Sequence, residues 1–201
     1  MTELVLYGHP DSGHANKVAL ALALAGVPHE LRRVDIWAPA ATRPAEFLAA
    51  SPLAQVPLLM VDGVPHLQSG AILMEVARRW PLPGQQPHDL RRGAELILWE
   101  ANRIGMCLPQ LVESRRPGGD SFPPGALDWL RARYATDRDN FDRLLGAGPF
   151  FHGAAPGIGD CAIWGYVRWI DRAGVAPSPA MADWRTRMAC LPAMPRDFFP
   201  A

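Results

Sequence analysis

The sequence predicts an α+β N-terminal domain followed by an all-α helical-bundle domain. Three observations carry that reading. Strand-like and helix-like stretches alternate up to about residue 80. A joint then interrupts the chain at Trp80-Pro81-Leu82-Pro83-Gly84-Gln85-Gln86-Pro87-His88, where three prolines and a glycine cannot continue a helix or a central strand. Beyond it, apolar residues recur at three- and four-residue spacing. The chain divides into a domain over 1–80, a linker over 81–88 and a helical domain over 89–201.

Leu4 to Tyr7 is a short apolar run that reads as a strand. Ala15 to Ala25 is rich in alanine and leucine and stops at Gly26, a helix-ending residue. His29 to Val34 reads as a second strand and Pro44 to Ala50 as a helical turn. Leu58–Val61 and Val64–Leu67 flank Asp62-Gly63, the dipeptide of a tight hairpin. Ser69 to Trp80 is a helix with Ile72, Val76 and Trp80 on one face. This β-α-β unit with a hairpin and a closing helix makes a small mixed sheet, a thioredoxin-like arrangement. After the joint, Leu90, Ala94, Ile97, Ala101, Ile104, Leu108 and Leu111 predict one long amphipathic helix. Leu127 to Leu145, Asp160 to Arg172 and Trp184 to Leu191 predict three more.

Composition excludes several classes. With 20 basic and 20 acidic residues in 201, the formal charge is zero, which provides no footprint for nucleic acid or anionic lipid. Lys17 is the only lysine. Cys107, Cys161 and Cys190 form no C-x-x-C pair and no paired framework, which points to a reducing compartment. No secretory signal opens the chain, and no apolar run reaches the length of about 18 residues that a spanning helix needs. A cytoplasmic location and no membrane partner are the expectation. His9, His66 and His152 have no metal-ligand spacing, so no metal is expected.

Three stretches could carry chemistry. Tyr7-Gly8-His9-Pro10-Asp11-Ser12-Gly13-His14 delivers Ser12 to a helix N-terminus, where a hydroxyl and free N–H groups would stabilise an anion such as a thiolate. An ordinary helix cap is the alternative reading of Ser12. Ser51-Pro52-Leu53-Ala54-Gln55-Val56-Pro57 places a proline at the opening of a strand; a cis Val56–Pro57 bond would present the Val56 backbone to an extended ligand. Gln68 and Ser69 stand where the hairpin meets a helix. The Ser69 hydroxyl and N–H could hold a carboxylate there and Gln68 an ammonium, or Ser69 could be a plain cap.

Together LYGHPDSGHANKVALAL, SPLAQVPLL, VDGVPHLQSGAIL and PFFHGAAPGIGDCAIWGY resemble the soluble, cytosolic glutathione transferase superfamily, in its bacterial serine-type form. The resemblance runs over nearly the whole chain. It implies a homodimeric detoxification transferase that takes glutathione as co-substrate and attacks a small hydrophobic electrophile. It assigns Ser12 to the glutathione thiolate, Val56 and Pro57 to the cysteinyl backbone, and Gln68 and Ser69 to the γ-glutamyl end. His14 replaces an asparagine thought to assist the thiol; it could be a second donor to sulfur, a proton shuttle or a solvated helix residue. Tyr7 is the rival thiol activator, and Arg43 a candidate for the glycyl carboxylate. Asp160 matches a buried folding aspartate, but Gly157 replaces the usual Ser or Thr cap, which should weaken that helix by about 0.5–1 kcal/mol. Cys107 reads as structural, and Trp99, Arg103, Met106 and the stretch after Phe150 as the electrophile pocket. With no cysteine near Ser12, the alternatives are a glutathione-dependent disulfide or peroxide reductase and a non-catalytic glutathione-binding module. Whether the C-terminal RDFFPA covers the pocket or hangs free stays open.

Overall fold

The computed structural model describes residues 3–86, 90–119 and 121–199; Pro87 and His88 of the expected linker lie outside the described residues. Strands β1 (Leu4–Gly8), β2 (Glu30–Arg33), β3 (Leu58–Val61) and β4 (Val64–Leu67) form one mixed sheet in the order β2-β1-β3-β4. β1 runs parallel to β2 and antiparallel to β3. Asp62 and Gly63 both take positive φ, as the tight β3–β4 turn requires. Helices α1 (Gly13–Leu24) and α3 (Ser69–Arg79) cover one face of the sheet, and the short α2 (Ala45–Ala50) brings Phe47 to the other, against Val5, Tyr7, Val34 and Leu58. This is the expected thioredoxin-like half.

The rest of the described chain is helical: α4 (Arg91–Asn102), α5 (Ile104–Glu113), α6 (Ala126–Leu145), α7 (Ile158–Val167), α8 (Ile170–Ala173) and α9 (Pro179–Ala189). Two boundaries correct the sequence reading. The single helix expected from Leu90 to Leu111 is α4 and α5, broken at Arg103 (φ −123°, ψ −97°). The Arg103 Nε donates to Asp137 Oδ1 on α6 at 2.7 Å, and Gly105 passes so close to Glu100 Oε1 that no side chain fits there. The helix expected over Asp160–Arg172 likewise breaks at Arg168-Trp169 into α7 and α8.

One core runs through both halves. α1 is buried along most of its length because it packs on the sheet and on α7 at once. The crossing depends on two glycines. A Cβ at Gly13 would fall 2.6 Å from the Tyr166 ring, and one at Gly165 would fall 2.6 Å from Lys17 Cγ. Lys17 of α1 and Glu100 of α4 form a buried ion pair at 2.7 Å, which ties the halves together. The C-terminal segment folds back onto the sheet half: Phe199 seats its ring on Gly8, where no Cβ fits, and Arg168 lies 4.6 Å over Phe198.

At the start of α7 Gly157 makes no side-chain cap bond, as expected, but other groups take that place. Asp160 is fully buried and accepts from Phe151 N–H, Gly157 N–H and Trp184 Nε1–H at 2.9–3.0 Å. The first helical N–H groups, which a Ser or Thr at 157 would help satisfy, find other acceptors. Gln85 Oε1 takes Ile158 N–H and His152 Nε2 takes Gly159 N–H, each at 3.2 Å. The His152 ring occupies the space a side chain at 157 would need, with its Cγ 2.6 Å from an ideal Cβ. Gly157→Ser is therefore expected to destabilise the fold by about 1–3 kcal/mol through overpacking. Urea unfolding checks this, and a gain in stability would refute it.

Candidate functional site

Ser12 is the N-cap of α1, and its Oγ accepts from Ala15 N–H at 3.2 Å. An oxygen that accepts a cap bond still carries its own proton. The cap reading and the donor reading of Ser12 are thus compatible in one geometry. The loop before it is held firmly: Ser12 N–H donates to His9 O, Asp11 N–H to His9 Nδ1, and Asn16 Nδ2 to Pro10 O. His9 itself is buried, its ring edge-on to Trp37.

A cleft of about 90 Å³ gathers His14, Val56, Pro57, Gln68 and Ser69, with Ser51, Leu53, Gln55 and Leu67. The Val56–Pro57 bond is cis. Gln68 caps α3 at φ 65°, a strained conformation for a residue with a side chain, and Ser69 is the first helical residue. The cap position expected of Ser69 belongs to Gln68, and the Ser69 hydroxyl instead lies 3.1 Å from His14 Nδ1.

Ser12 borders a second cavity of about 250 Å³, lined by Ile36, Trp37, Pro109, Val112, Tyr166 and Trp169, with the ion pairs Arg116–Glu113 and Arg172–Asp11 at its charged side. Arg116 lies 4.6 Å over the Trp37 ring and Arg172 lies 4.9 Å over Trp169. This lining differs from the expected one. Trp99, Arg103, Met106 and Phe150 do not border it. Pro109 and Val112 of α5 border it instead.

The other singled-out residues have structural partners. Tyr7 lies on the α2 side of the sheet, its hydroxyl accepting from Arg32 Nη1 at 2.9 Å. Arg43 donates to the Ala54 and Ile36 carbonyls and so braces the segment before β3. Burial pushes the Cys107 thiol up to about 11, beside Asp137. Among the described residues no group of three His, Cys, Asp or Glu could hold a metal ion, and no helix is long and apolar enough to cross a membrane.

His14 is exposed at the start of α1, as its reading as a solvated helix residue expects, and its ring nonetheless has partners. Its Nδ1 also lies 3.4 Å from Lys17 Nζ, and its ring stands edge-on to Tyr166 at 5.2 Å. Burial of that side of the ring, with the Lys17 charge behind it, holds its pKa well below the ordinary imidazole value. Sequence periodicity had no means of showing this arrangement, because Ser69 is 55 residues away and Glu100, the partner of Lys17, is 83 away from it.

Three comparisons with known proteins find relatives of the chain. Residues 11–79 match the family model of the glutathione S-transferase N-terminal domain. Maleylacetoacetate isomerase of Rhizobium meliloti (strain 1021) is 29% identical over 168 residues, 80% of this chain and 78% of that protein. The enzyme of the same name from Mus musculus is 31% identical over 91 residues, 45% of this chain; the match spans less than half of the mouse protein, 42%. The crystal structure of a glutathione S-transferase from Xanthobacter autotrophicus Py2 superimposes with a TM-score of 0.79 at 25% identity, covering 95% of both chains. Residues 11–79 are thus a glutathione S-transferase N-terminal domain by family model, and the chain as a whole is similar to glutathione S-transferases in fold and sequence.

Proposed function

We propose that the protein is a cytoplasmic glutathione transferase that binds glutathione in the cleft between Val56 and Ser69 and activates its thiolate at Ser12. Gln68 and Ser69 hold the γ-glutamyl end, the Val56 backbone pairs with the cysteinyl part, and Pro57 shapes the turn beside it. The sulfur then lies at the seam between this cleft and the Ser12 cavity, which takes a small electrophile against Trp37, Tyr166 and Trp169. Glutathione is held by residues of the 1–80 half, and the electrophile cavity is shared between Ile36 and Trp37 of that half and Pro109, Val112, Tyr166 and Trp169 of 89–201, across the joint at 81–88.

The observation that carries this reading is the Ser12 geometry. Its oxygen lies at the positive end of α1 and already accepts Ala15 N–H, which leaves the hydroxyl proton for an anion in the adjoining cavity. The enzyme supplies a deprotonated, oriented nucleophile; the new bond forms between the glutathione sulfur and the electrophile. The thiolate absorbance of bound glutathione, followed against pH, tests it. The expected thiol pKa lies well below the ordinary value of about 8.5. Tight binding with no shift would leave a binding module without transferase chemistry.

A second reading takes a carboxylate-bearing substrate at the cavity rim, where Arg116 and Arg172 would exchange their ion pairs with Glu113 and Asp11 for it. The isomerase relatives support it. A thiolate that adds to a conjugated double bond, and leaves after rotation about the single bond so formed, has isomerised the substrate and regenerated glutathione. Product analysis separates the two readings: a stable conjugate marks transfer, whereas an isomer with free glutathione marks isomerisation.

The family's homodimer fits the face made by α3 and α4. Leu98 is 64% exposed there and borders an apolar cavity of about 440 Å³ with Leu73, Met74, Ala94 and Ile97. Leu98→Arg is expected to shift sedimentation from dimer to monomer. A wild-type chain that sediments as a monomer would refute the dimer.

A further inference from the structure

His9 is the first residue after β1, and it borders neither the glutathione cleft nor the Ser12 cavity. It is nonetheless only 3% exposed, and its ring has a partner: Nδ1 accepts Asp11 N–H at 3.1 Å. His9-Pro10-Asp11-Ser12 is a β-turn with proline in second place, closed by Ser12 N–H on His9 O at 2.9 Å. The first place of such a turn favours Asp, Asn or Ser, whose side-chain oxygen takes the N–H two residues on. His9 Nδ1 is bonded to Cγ as the Oδ1 of an asparagine is, and it accepts that same bond. A ring nitrogen that accepts carries no proton, so the neutral ring has its hydrogen on Nε2.

The surroundings hold this ring in place. Gly8 O accepts Val34 N–H at 2.8 Å and the Phe199 ring covers Gly8, which fixes the chain as it enters His9. The His9 ring meets Trp37 edge-on with centroids 6.5 Å apart, and Asp35 Oδ1 accepts Trp37 N–H at 2.8 Å. The charged groups that act on the ring are Arg33 of β2, Asp11 of the turn and Asp35 of the loop after β2. Burial, aided by Arg33, outweighs the two carboxylates and lowers the His9 pKa from the ordinary imidazole value. The ring is therefore neutral at neutral pH, with Nδ1 available to accept.

We propose that His9 is a positioning residue for the Ser12 hydroxyl and acts through its Nδ1 bond to Asp11 N–H. It touches neither glutathione nor the electrophile, and it moves no proton. This rests on the reading of Ser12 as the donor to the thiolate. With the bond in place, the turn delivers Ser12 Oγ to the cap of α1, where Ala15 N–H fixes the oxygen and leaves the hydroxyl hydrogen for the sulfur. Without it, Asp11 N–H loses its acceptor. The turn then keeps only the bonds of Ser12 N–H to His9 O and of Asn16 Nδ2 to Pro10 O, and the hydroxyl is no longer held in one direction.

His9→Leu fills much of the same space without an acceptor. It should raise the thiol pKa of bound glutathione by about one unit and lower kcat/KM about tenfold near neutral pH. The KM for glutathione should stay within about twofold, because His9 lies outside the cleft of Val56, Gln68 and Ser69. His9→Asn, whose Oδ1 takes the place of Nδ1, should restore most of the lowered thiol pKa. Added to Ser12→Ala, His9→Leu should raise the thiol pKa no further, since the hydroxyl it acts through is already gone. Long-range proton–nitrogen spectra of the wild-type histidine rings should show His9 with its hydrogen on Nε2 at neutral pH. A hydrogen on Nδ1, or a His9→Leu that leaves the thiol pKa unchanged while Ser12→Ala raises it, overturns the proposal. So does a His9→Asn that behaves as His9→Leu does, since packing on Trp37 and not the acceptor would then be responsible. If His9→Leu fails to fold, His9→Asn decides: the wild-type thiol pKa supports the assignment and a raised one overturns it. A Ser12→Ala that leaves the thiol pKa where it was removes the reading of Ser12, and this proposal with it.

Discussion

Ser12→Ala is expected to raise the pKa of bound glutathione by about 1–2 units and to lower kcat/KM about 10–100-fold near neutral pH. The magnitude follows from one hydrogen bond to a charged sulfur, about 1.5–3 kcal/mol. Affinity for glutathione should change little, because the Val56, Gln68 and Ser69 cleft does not include this side chain. The substitution also removes the α1 cap, at a cost of about 1 kcal/mol. Ser12→Thr keeps both hydroxyl roles and separates the two effects: it should retain the low thiol pKa, whereas the alanine variant loses it. An alanine variant with an unshifted thiol pKa would assign the activation to the N-terminus of α1 alone. Tyr7 offers no substitute on this geometry, since it lies on the opposite face of the sheet with Arg32 on its hydroxyl.

The largest effect on stability is expected at Asp160. Asp160→Ala strands the N–H groups of Phe151, Gly157 and Trp184 in a site without water access, and opens a hole beside Trp184. A loss of about 3–5 kcal/mol is expected from urea unfolding. A loss below about 1 kcal/mol would show that this hub is not what holds α7 in place. Asp160 also has a pH signature. Burial outweighs the N–H groups that donate to it and holds its pKa up at about 6, against about 3.9 in the unfolded chain. The folded state therefore binds this proton more tightly. Its contribution to stability is fully present below about pH 4 and is lost as pH rises toward 6. The difference in stability between wild type and Asp160→Asn should follow that slope between pH 4 and 6 and be flat above it.

Much of the sheet half is legible in sequence because its signals are local. Asp62-Gly63 dictates a turn through its own φ angles, and the runs either side of it have nowhere else to pair. Gln68 and Ser69 follow from where that hairpin must end. The break at Arg103 is not legible, since neither glycine nor proline stands at that position and apolar spacing continues through it to Leu111. The cause is a carboxylate 34 residues away on α6 together with the crowding of Gly105 by Glu100. The caps on α7 show the same limit. Gln85 reads as part of a proline-rich joint, yet it serves a helix that starts 73 residues later. Gly157 reads as a defect until the His152 ring is seen to fill its place.

The buried Lys17 gives the molecule a chemical reporter of its own. It is the chain's only lysine, it is 2% exposed, and its neighbours belong to α1, α4 and α7. No side-chain amine is thus within reach of an acylating reagent while the two halves stay closed. Modification of Lys17 must wait for α1 and α4 to part, so its rate measures how often they do. Glutathione bound to the closed form, against α1 and the start of α3, should slow that acylation as its occupancy rises.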